Sequence, residues 1–121
     1  MSQSLGGDLE MIPDVDVLRP RVGAAVVELH GEHDLATRSD IRELFTSLVE
    51  ANDLVVVDVT DARFIDSSFL HNLAKAHRLA QGRGSRLRLQ LGTAPIVRRA
   101  LEVSGLLEYL DCAPDREQAM T

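Results

Sequence analysis

The chain has few of the features that mark several large classes of protein. It contains one cysteine, Cys112, so no disulfide can form within it, and a reducing compartment is the simplest location. It has no run of about 18 apolar residues, which excludes a membrane-spanning helix. Its first ten residues are polar and lack the apolar stretch of a secretory signal, so we expect a cytoplasmic protein.

Aromatic residues are also scarce, and acidic residues outnumber basic ones. The chain has three Phe, one Tyr and no Trp, which leaves little to stack on nucleobases or sugars. Its 19 acidic residues outnumber its 13 Lys and Arg residues, and the net charge is −6. Proteins that bind nucleic acids usually carry a basic face, so we expect no direct nucleic-acid binding.

The sequence pattern is that of a single α/β domain. Its 121 residues, 45% of them hydrophobic, are enough for one core. Residues 1–10 predict a flexible N-terminal segment, and residues 11–121 predict the domain. The apolar periods predict strands at 11–18, 22–29, 54–59, 86–91 and 108–112, and helices through 41–49 and at 67–81, 95–104 and 115–120. This order predicts a small mixed, mostly parallel sheet with helices packed against it.

Two loops that follow predicted strands carry the most informative polar residues. The loop at 30–35 includes Asp34, and the loop at 64–70 includes Asp66 and Ser67. Sites of open α/β sheets lie outside the carboxyl ends of the parallel strands. If the two strands are parallel neighbours, both loops emerge at the same edge of the sheet.

The stretch Asp66-Ser67-Ser68 lies where a strand ends and a helix begins. One interpretation is a helix cap, because Asp and Ser side chains accept hydrogen bonds from the unpaired N–H groups of a helix start. The other is a phosphorylatable serine, because the same N–H groups and the helix dipole favour a phosphate. The two interpretations are compatible.

Three stretches resemble motifs of the STAS family, the bacterial anti-sigma factor antagonists. Gly31-Glu-His-Asp34 is similar to the family's Gly-Glu-Leu/Ile-Asp motif. Phe64-Ile-Asp-Ser-Ser-Phe-Leu70 is similar to its Asp-Ser-Ser/Thr-Gly-Leu motif. Residues 94–106 resemble its Pro-x-Val-x-Arg-x-Leu-x-x-x-Gly-Leu stretch. The resemblance covers about residues 15–118, and three motifs in the right order make it specific.

The resemblance implies a STAS-like domain and a partner, an anti-sigma factor that is also a serine kinase. Binding of the antagonist releases the sigma factor. The kinase then phosphorylates the serine after the motif's Asp, the complex separates, and a serine phosphatase resets the cycle. Carried onto this sequence, the phosphorylated residue is Ser67, with Ser68 as the neighbouring cap and with Asp34 and Asp66 around it.

One residue departs from the family pattern, since Phe69 stands where the family has Gly. If its side chain points outward, Phe69 is an exposed aromatic beside Ser67, and it acts as an interface anchor or closes a groove. The alternative is a core aromatic on the face of the helix that meets the sheet. The predicted partner-binding surface therefore comprises Asp34, Asp66, Ser67, Ser68 and Phe69.

Catalysis and metal binding are less well supported. Ser67, His33 and Asp34 suggest a hydrolase triad, but the Gly-x-Ser-x-Gly turn is missing. His30 and His33 have no third distant ligand, so no metal site is predicted. We expect a non-catalytic protein without a cofactor. The alternative to an antagonist is a STAS scaffold or assembly subunit of a stress-signalling complex or of a transporter.

Overall fold

The computed structural model describes residues 15–33, 38–92 and 95–121. It confirms the predicted fold class, a mixed sheet with helices packed against it. The strands are β1 (Val15–Arg21), β2 (Ala24–His33), β3 (Leu54–Ile65), β4 (Arg86–Gln90) and β5 (Asp111–Ala113). The helices are α1 (Arg38–Ala51), α2 (Ser67–Arg83), α3 (Pro95–Ser104), α4 (Leu106–Tyr109) and α5 (Arg116–Ala119). Within the described ranges, no helix has the length and apolar character needed to cross a bilayer.

The five strands lie in the sheet in chain order, β1-β2-β3-β4-β5. β1 and β2 are antiparallel because a tight turn at Val22 and Gly23 joins them, and Gly23 has the positive φ of 84° that suits such a turn. Each later neighbouring pair is parallel, since helices carry the chain back across the sheet. The strand predicted at 22–29 therefore begins later than expected, and Val22 is 99% exposed in the turn.

Helices α1, α2 and α3 pack on one face of the sheet and form the main core. Val55, Val57 and Val59 of β3 belong to this core, whereas Val56 belongs to a smaller cluster with Ala119 of α5. The apolar stripe predicted on α1 is buried throughout, as the period indicates; it comprises Ile41, Leu44, Phe45, Leu48 and Val49. The packed sheet and helices hold the start of α2 in a fixed position.

Polar side chains near α5 meet in a network on the sheet. Glu28, Asp58 and Gln90 are paired neighbours across β2, β3 and β4. The Nη2 atom of Arg116 lies 2.9 Å from Oε2 of Glu28 and 2.7 Å from Oδ2 of Asp58. Its Nε atom donates to Oε1 of Gln90 at 2.6 Å. Burial acts to lower the pKa of Arg116, but the two carboxylates outweigh it and the pKa is raised. Arg116 thus compensates two neighbouring acids.

The structure differs from the prediction where strands and helices end. The predicted strand at 108–112 is wrong in its first half, because residues 106–109 form α4 and β5 spans Asp111–Ala113. Gly105 has a φ of 80°, which ends α3 and turns the chain into α4. β3 also runs past its predicted end at 59 as far as Ile65, so this strand leads directly to Asp66.

Candidate functional site

The carboxyl ends of β2 and β3 lie side by side. The two strands are parallel neighbours, and their last paired residues are His33 and Ile65. The chain therefore leaves both strands at adjacent points on one edge of the sheet, as the sequence predicts. Asp34 follows His33 in the chain but lies outside the described residues, so its place beside Asp66 and Ser67 stays a prediction.

Asp66 caps helix α2. Its backbone is extended (φ −98°, ψ 177°), and its Oδ1 atom accepts a hydrogen bond of 2.9 Å from the backbone N–H of Phe69. The N–H of Leu70 donates to the backbone carbonyl of Asp66 at 3.1 Å. A cap of this kind contributes about 1 kcal/mol to stability. The capping role belongs to Asp66, whereas Ser68, expected to be the neighbouring cap, is the second residue of the helix.

Ser67 is the first residue of α2, and it is exposed. The amide groups and dipole at a helix start favour negative charge, so a phosphate attached to this residue would be stabilised by the backbone. Ser67 is thus an exposed residue at a position where a helix tolerates added negative charge. Ser68 is partly buried, and Asp66 is partly buried as well.

Phe69 points into the core. Its side chain is 4% exposed, and its ring meets the ring of Phe45 edge to face, with the centroids 6.0 Å apart and an interplanar angle of 72°. The expectation of an exposed aromatic beside Ser67 is therefore wrong, because the third residue of α2 already faces α1. The alternative, a core aromatic, is what the structure shows. Of the predicted site residues that the structure describes, Ser67 is the most exposed.

A second polar cluster lies on β1, β2 and β3. The Nε2 atom of His30 is 3.1 Å from Oδ2 of Asp16, and its Nδ1 atom is 3.4 Å from Oδ2 of Asp61. Glu28 joins Asp16 and His30 in a group whose ligand-type atoms lie within 4.8 Å of one another. A divalent cation accepts such donors. However, the His30 ring already lies between two carboxylates, and Glu28 is paired with Arg116.

Sequence reasoning missed this cluster because its members come from three strands. Asp16 stands opposite Glu28 in the register of β1 on β2, and His30 stands opposite Asp61 in the register of β2 on β3. The weak alternation in residues 11–18 indicates a strand but not its register. The side chain of His33 is outside the described part of the chain, so the pairing of His30 with His33 that the sequence suggests is not tested.

Several solved structures share this fold. The anti-sigma factor antagonist SpoIIAA in its unphosphorylated form aligns with a TM-score of 0.75 at 22% identity, over 88% of this chain and 92% of that chain. SpoIIAA in its phosphorylated form, a Bacillus cell fate determinant, aligns with a TM-score of 0.69 at 21% identity, over 88% and 96% of the two chains. An anti-sigma factor antagonist from Mycobacterium paratuberculosis aligns with a TM-score of 0.76 at 23% identity, over 90% and 94%. At these identities the likeness establishes the fold.

Sequence comparison identifies the family. No curated protein matches the chain. The family model described as Mlab, STAS domain, matches residues 18–111, a range that contains most of the sheet and the whole of α2. The chain therefore belongs to the STAS domain family.

Proposed function

We propose that the chain is an anti-sigma factor antagonist, which binds an anti-sigma factor that is also a serine kinase and is switched off by phosphorylation at Ser67. The observation that carries this proposal is the position of Ser67, an exposed serine at the first residue of α2, directly after the Asp66 cap. A kinase needs an accessible hydroxyl, and a switch on a surface needs a rigid frame around it. The buried ring of Phe69 supplies part of that frame.

The proposed partner-binding surface comprises Asp34, Asp66, Ser67 and Ser68, at the edge where β2 and β3 end. Phe69 belongs to this proposal as a residue that supports the surface from the core, since its ring is buried. A partner bound there would contact the neutral hydroxyl of Ser67 next to the Asp66 carboxylate. The chain itself is proposed to be non-catalytic and to act in the cytoplasm.

Phosphorylation would change the charge of this surface more than its shape. A phosphoserine carries a charge of about −1.5 to −2 at pH 7. The start of α2 would stabilise that charge within the chain. For a partner fitted to the neutral serine, the same charge beside Asp66 removes the match between the two surfaces. The fold stays intact, the complex separates, and a serine phosphatase restores binding.

The comparisons support this role at the level of the fold. Two of the similar structures are one relative in its unphosphorylated and its phosphorylated form, so a fold of this type accommodates a phosphate. That relative and the mycobacterial protein are both described as anti-sigma factor antagonists.

A phosphorylation assay tests the proposal. The purified chain is incubated with ATP and, in turn, with each anti-sigma serine kinase encoded by its source organism, and the product is mapped by mass spectrometry. We expect one phosphate on Ser67, absent from Ser67→Ala and retained by the matched control Ser68→Ala. Phosphate on another residue, or none with any kinase, contradicts the proposed switch.

A binding assay tests the effect of the charge. Ser67→Asp places a carboxylate in the first turn of α2, where negative charge is favoured, so the circular dichroism spectrum should not change. We expect its affinity for the kinase to be about tenfold lower than that of Ser67→Ala, measured by titration calorimetry. Equal affinities of the two variants count against the charge mechanism.

A STAS scaffold or assembly subunit, of a stress-signalling complex or of a transporter, is the second candidate. The description of the matching family model, Mlab, STAS domain, names no sigma-factor partner, so the family match alone is equally compatible with this candidate. A scaffold would bind its partner whatever the residue at position 67. Affinity purification of the tagged chain from its source organism separates the two candidates, since recovery of transporter subunits without an anti-sigma factor supports the scaffold.

A further inference from the structure

Helix α2 differs in charge from the rest of the chain. Its 17 residues include Lys75, Arg78 and Arg83 but no Asp or Glu. The whole chain carries 19 acidic residues against 13 Lys and Arg. A surface helix of an acidic domain usually carries charges of both signs. The absence of acids over more than four turns concentrates positive charge on this one element.

Two of these cations, Lys75 and Arg78, lie on the outward side of α2, in line with Ser67. His71, Lys75 and Arg78 follow it by four, eight and eleven residues, which on an ideal helix places all of them within an arc of about 80°. Each of these side chains is exposed, and the buried residues of α2 lie on the opposite side. Ser67 therefore stands at the N-terminal end of a stripe that becomes cationic along the helix. We refer to Lys75 and Arg78 as the cationic face of α2; Arg83, at the end of the helix, lies about 160° from Ser67 and outside this arc.

A shallow groove follows the cationic face. It has a volume of about 500 Å³ and is lined by Lys75, Arg78, Leu79, Gly82 and Arg83. Leu79 and the aliphatic stems of the long side chains give it apolar walls, while the charged groups reach solvent. A segment that combines carboxylates with apolar side chains matches both properties.

The charges of the cationic face are not neutralised by the described part of the domain. None of the ion pairs between described residues includes Lys75, Arg78 or Arg83. Arg83 donates a hydrogen bond of 3.2 Å to the backbone carbonyl of Glu50. Exposed charges of this kind contribute little to stability, so their clustering points to a role outside the fold.

We propose that the cationic face of α2 binds an acidic segment of the anti-sigma factor. The inference rests on the proposed function, because the partner is the same protein and Ser67 lies at the end of the same stripe. Charge complementarity selects the occupant, since carboxylates pair with Lys and Arg side chains and the groove accepts apolar ones. The rise from Ser67 to Arg78 is about 16 Å, which an extended segment of about five residues spans.

The arrangement gives the phosphate a second effect. A phosphate on Ser67 repels the carboxylates that Lys75 and Arg78 attract, so it weakens the contact along the helix as well as at the serine itself. Both effects are electrostatic between exposed groups. They therefore decrease as salt shortens the Debye length, from about 10 Å at 0.1 M to about 3 Å at 1 M.

Charge reversal tests the inference. The double variant Lys75→Glu and Arg78→Glu is compared with wild type by surface plasmon resonance, on the anti-sigma kinase that phosphorylates Ser67. The matched control, Arg19→Glu and Arg21→Glu, makes the same change of charge on the exposed part of β1. At about 50 mM NaCl we expect the Kd of the α2 variant to rise about tenfold, mainly through slower association, and that of the control to change less than about twofold. At about 500 mM NaCl the difference should shrink. Circular dichroism checks that both variants fold.

Each result decides the matter. Equal affinities of wild type and the α2 variant overturn the inference and leave the proposed function standing, whereas failure of wild type to bind any anti-sigma kinase overturns both. An equal loss in the control indicates a response to net charge alone and overturns the inference too. The inference is also overturned if the α2 variant loses binding to phosphatidylglycerol vesicles or to a short single-stranded oligonucleotide while its affinity for the kinase is unchanged.

Discussion

The ring of Phe69 meets the ring of Phe45 edge to face at a centroid distance of 6.0 Å, two residues along the chain from the exposed Ser67. This contact joins α1 to the first turn of α2. The start of α2 is therefore held in two ways, through its backbone by the Asp66 cap and through the core by Phe69. A residue that the sequence assigns to the partner surface instead fixes the position of that surface.

Truncation of Phe69 should destabilise the domain. The side chain is 4% exposed, so Phe69→Ala leaves a cavity beside Phe45, and we expect the free energy of unfolding to fall by about 3–5 kcal/mol. Phe69→Leu keeps much of the volume and should cost less than about 2 kcal/mol. Urea unfolding followed by circular dichroism measures both. A loss below about 0.5 kcal/mol for Phe69→Ala is what a surface position gives, and it would contradict the buried position.

Loss of the Asp66 carboxylate should loosen the start of α2. We expect Asp66→Ala to lower the free energy of unfolding by about 1 kcal/mol, and Asp66→Asn, which still accepts the hydrogen bond, to lower it by much less. Hydrogen exchange at the Phe69 amide should be faster in the alanine variant alone. Asp115 offers a matched control, because it caps α5 through the N–H of Gln118 at 2.9 Å and should leave the Phe69 amide unaffected when changed to Ala. Equal effects of Asn and Ala at position 66 would argue against the cap.

Periodicity was enough to predict those parts of the fold whose apolar residues repeat regularly. The buried stripe of α1 and the valines of β3 follow from spacing alone. Pro95 and the chain turn at Gly105 likewise mark the two ends of α3. Phe69 also fits this period, since the buried residues of α2 include Phe69, Leu73, Ala76 and Ala80 at spacings of four, three and four, so its burial was open to prediction from spacing as well.

The candidate site was predictable where its residues are adjacent in the chain. Asp66, Ser67 and Ser68 read as a helix start from local preferences. Those preferences do not decide which residue is the cap, because Asp and Ser both accept the hydrogen bond. Asp66 is the cap because β3 continues to Ile65, so that the helix begins at the next residue but one. The end of β3 depends on its pairing with β2, which local preferences do not predict. The Arg116 network has no local signal at all, since its partners lie on three different strands.

Removal of the Arg116 guanidinium should destabilise the sheet. Arg116→Met keeps the apolar stem but leaves Glu28 and Asp58 facing each other on neighbouring strands, with the Asp58 side chain only 12% exposed. Because the Arg116 side chain is itself 35% exposed, we expect a loss of about 1–2 kcal/mol in urea unfolding. Adding Asp58→Asn to Arg116→Met should recover part of the loss. Asp58→Asn alone is measured in the wild-type chain as well. If it destabilises the Arg116→Met variant as much as it destabilises wild type, Glu28 and Asp58 do not repel each other in the absence of Arg116.

The Cys112 thiol should react slowly in the folded chain. Burial raises its pKa, and the Asp111 carboxylate raises it further, although Arg98 and Arg88 act in the opposite direction. The thiolate is the reactive form, so we expect a disulfide reagent to modify the folded chain more slowly than the urea-unfolded chain at about pH 8.

The raised pKa also makes stability depend on pH, because the folded chain holds the thiol proton of Cys112 more tightly than the unfolded chain. The stability contributed by the neutral thiol is therefore complete below the unfolded pKa and is lost as the pH rises through the folded pKa. Asp111→Asn should lower the pKa and speed the reaction, both by removing a carboxylate and by releasing Arg88, whose Nε atom lies 3.2 Å from Oδ2 of Asp111. Equal rates in the folded and unfolded chains would show that burial does not protect the thiol.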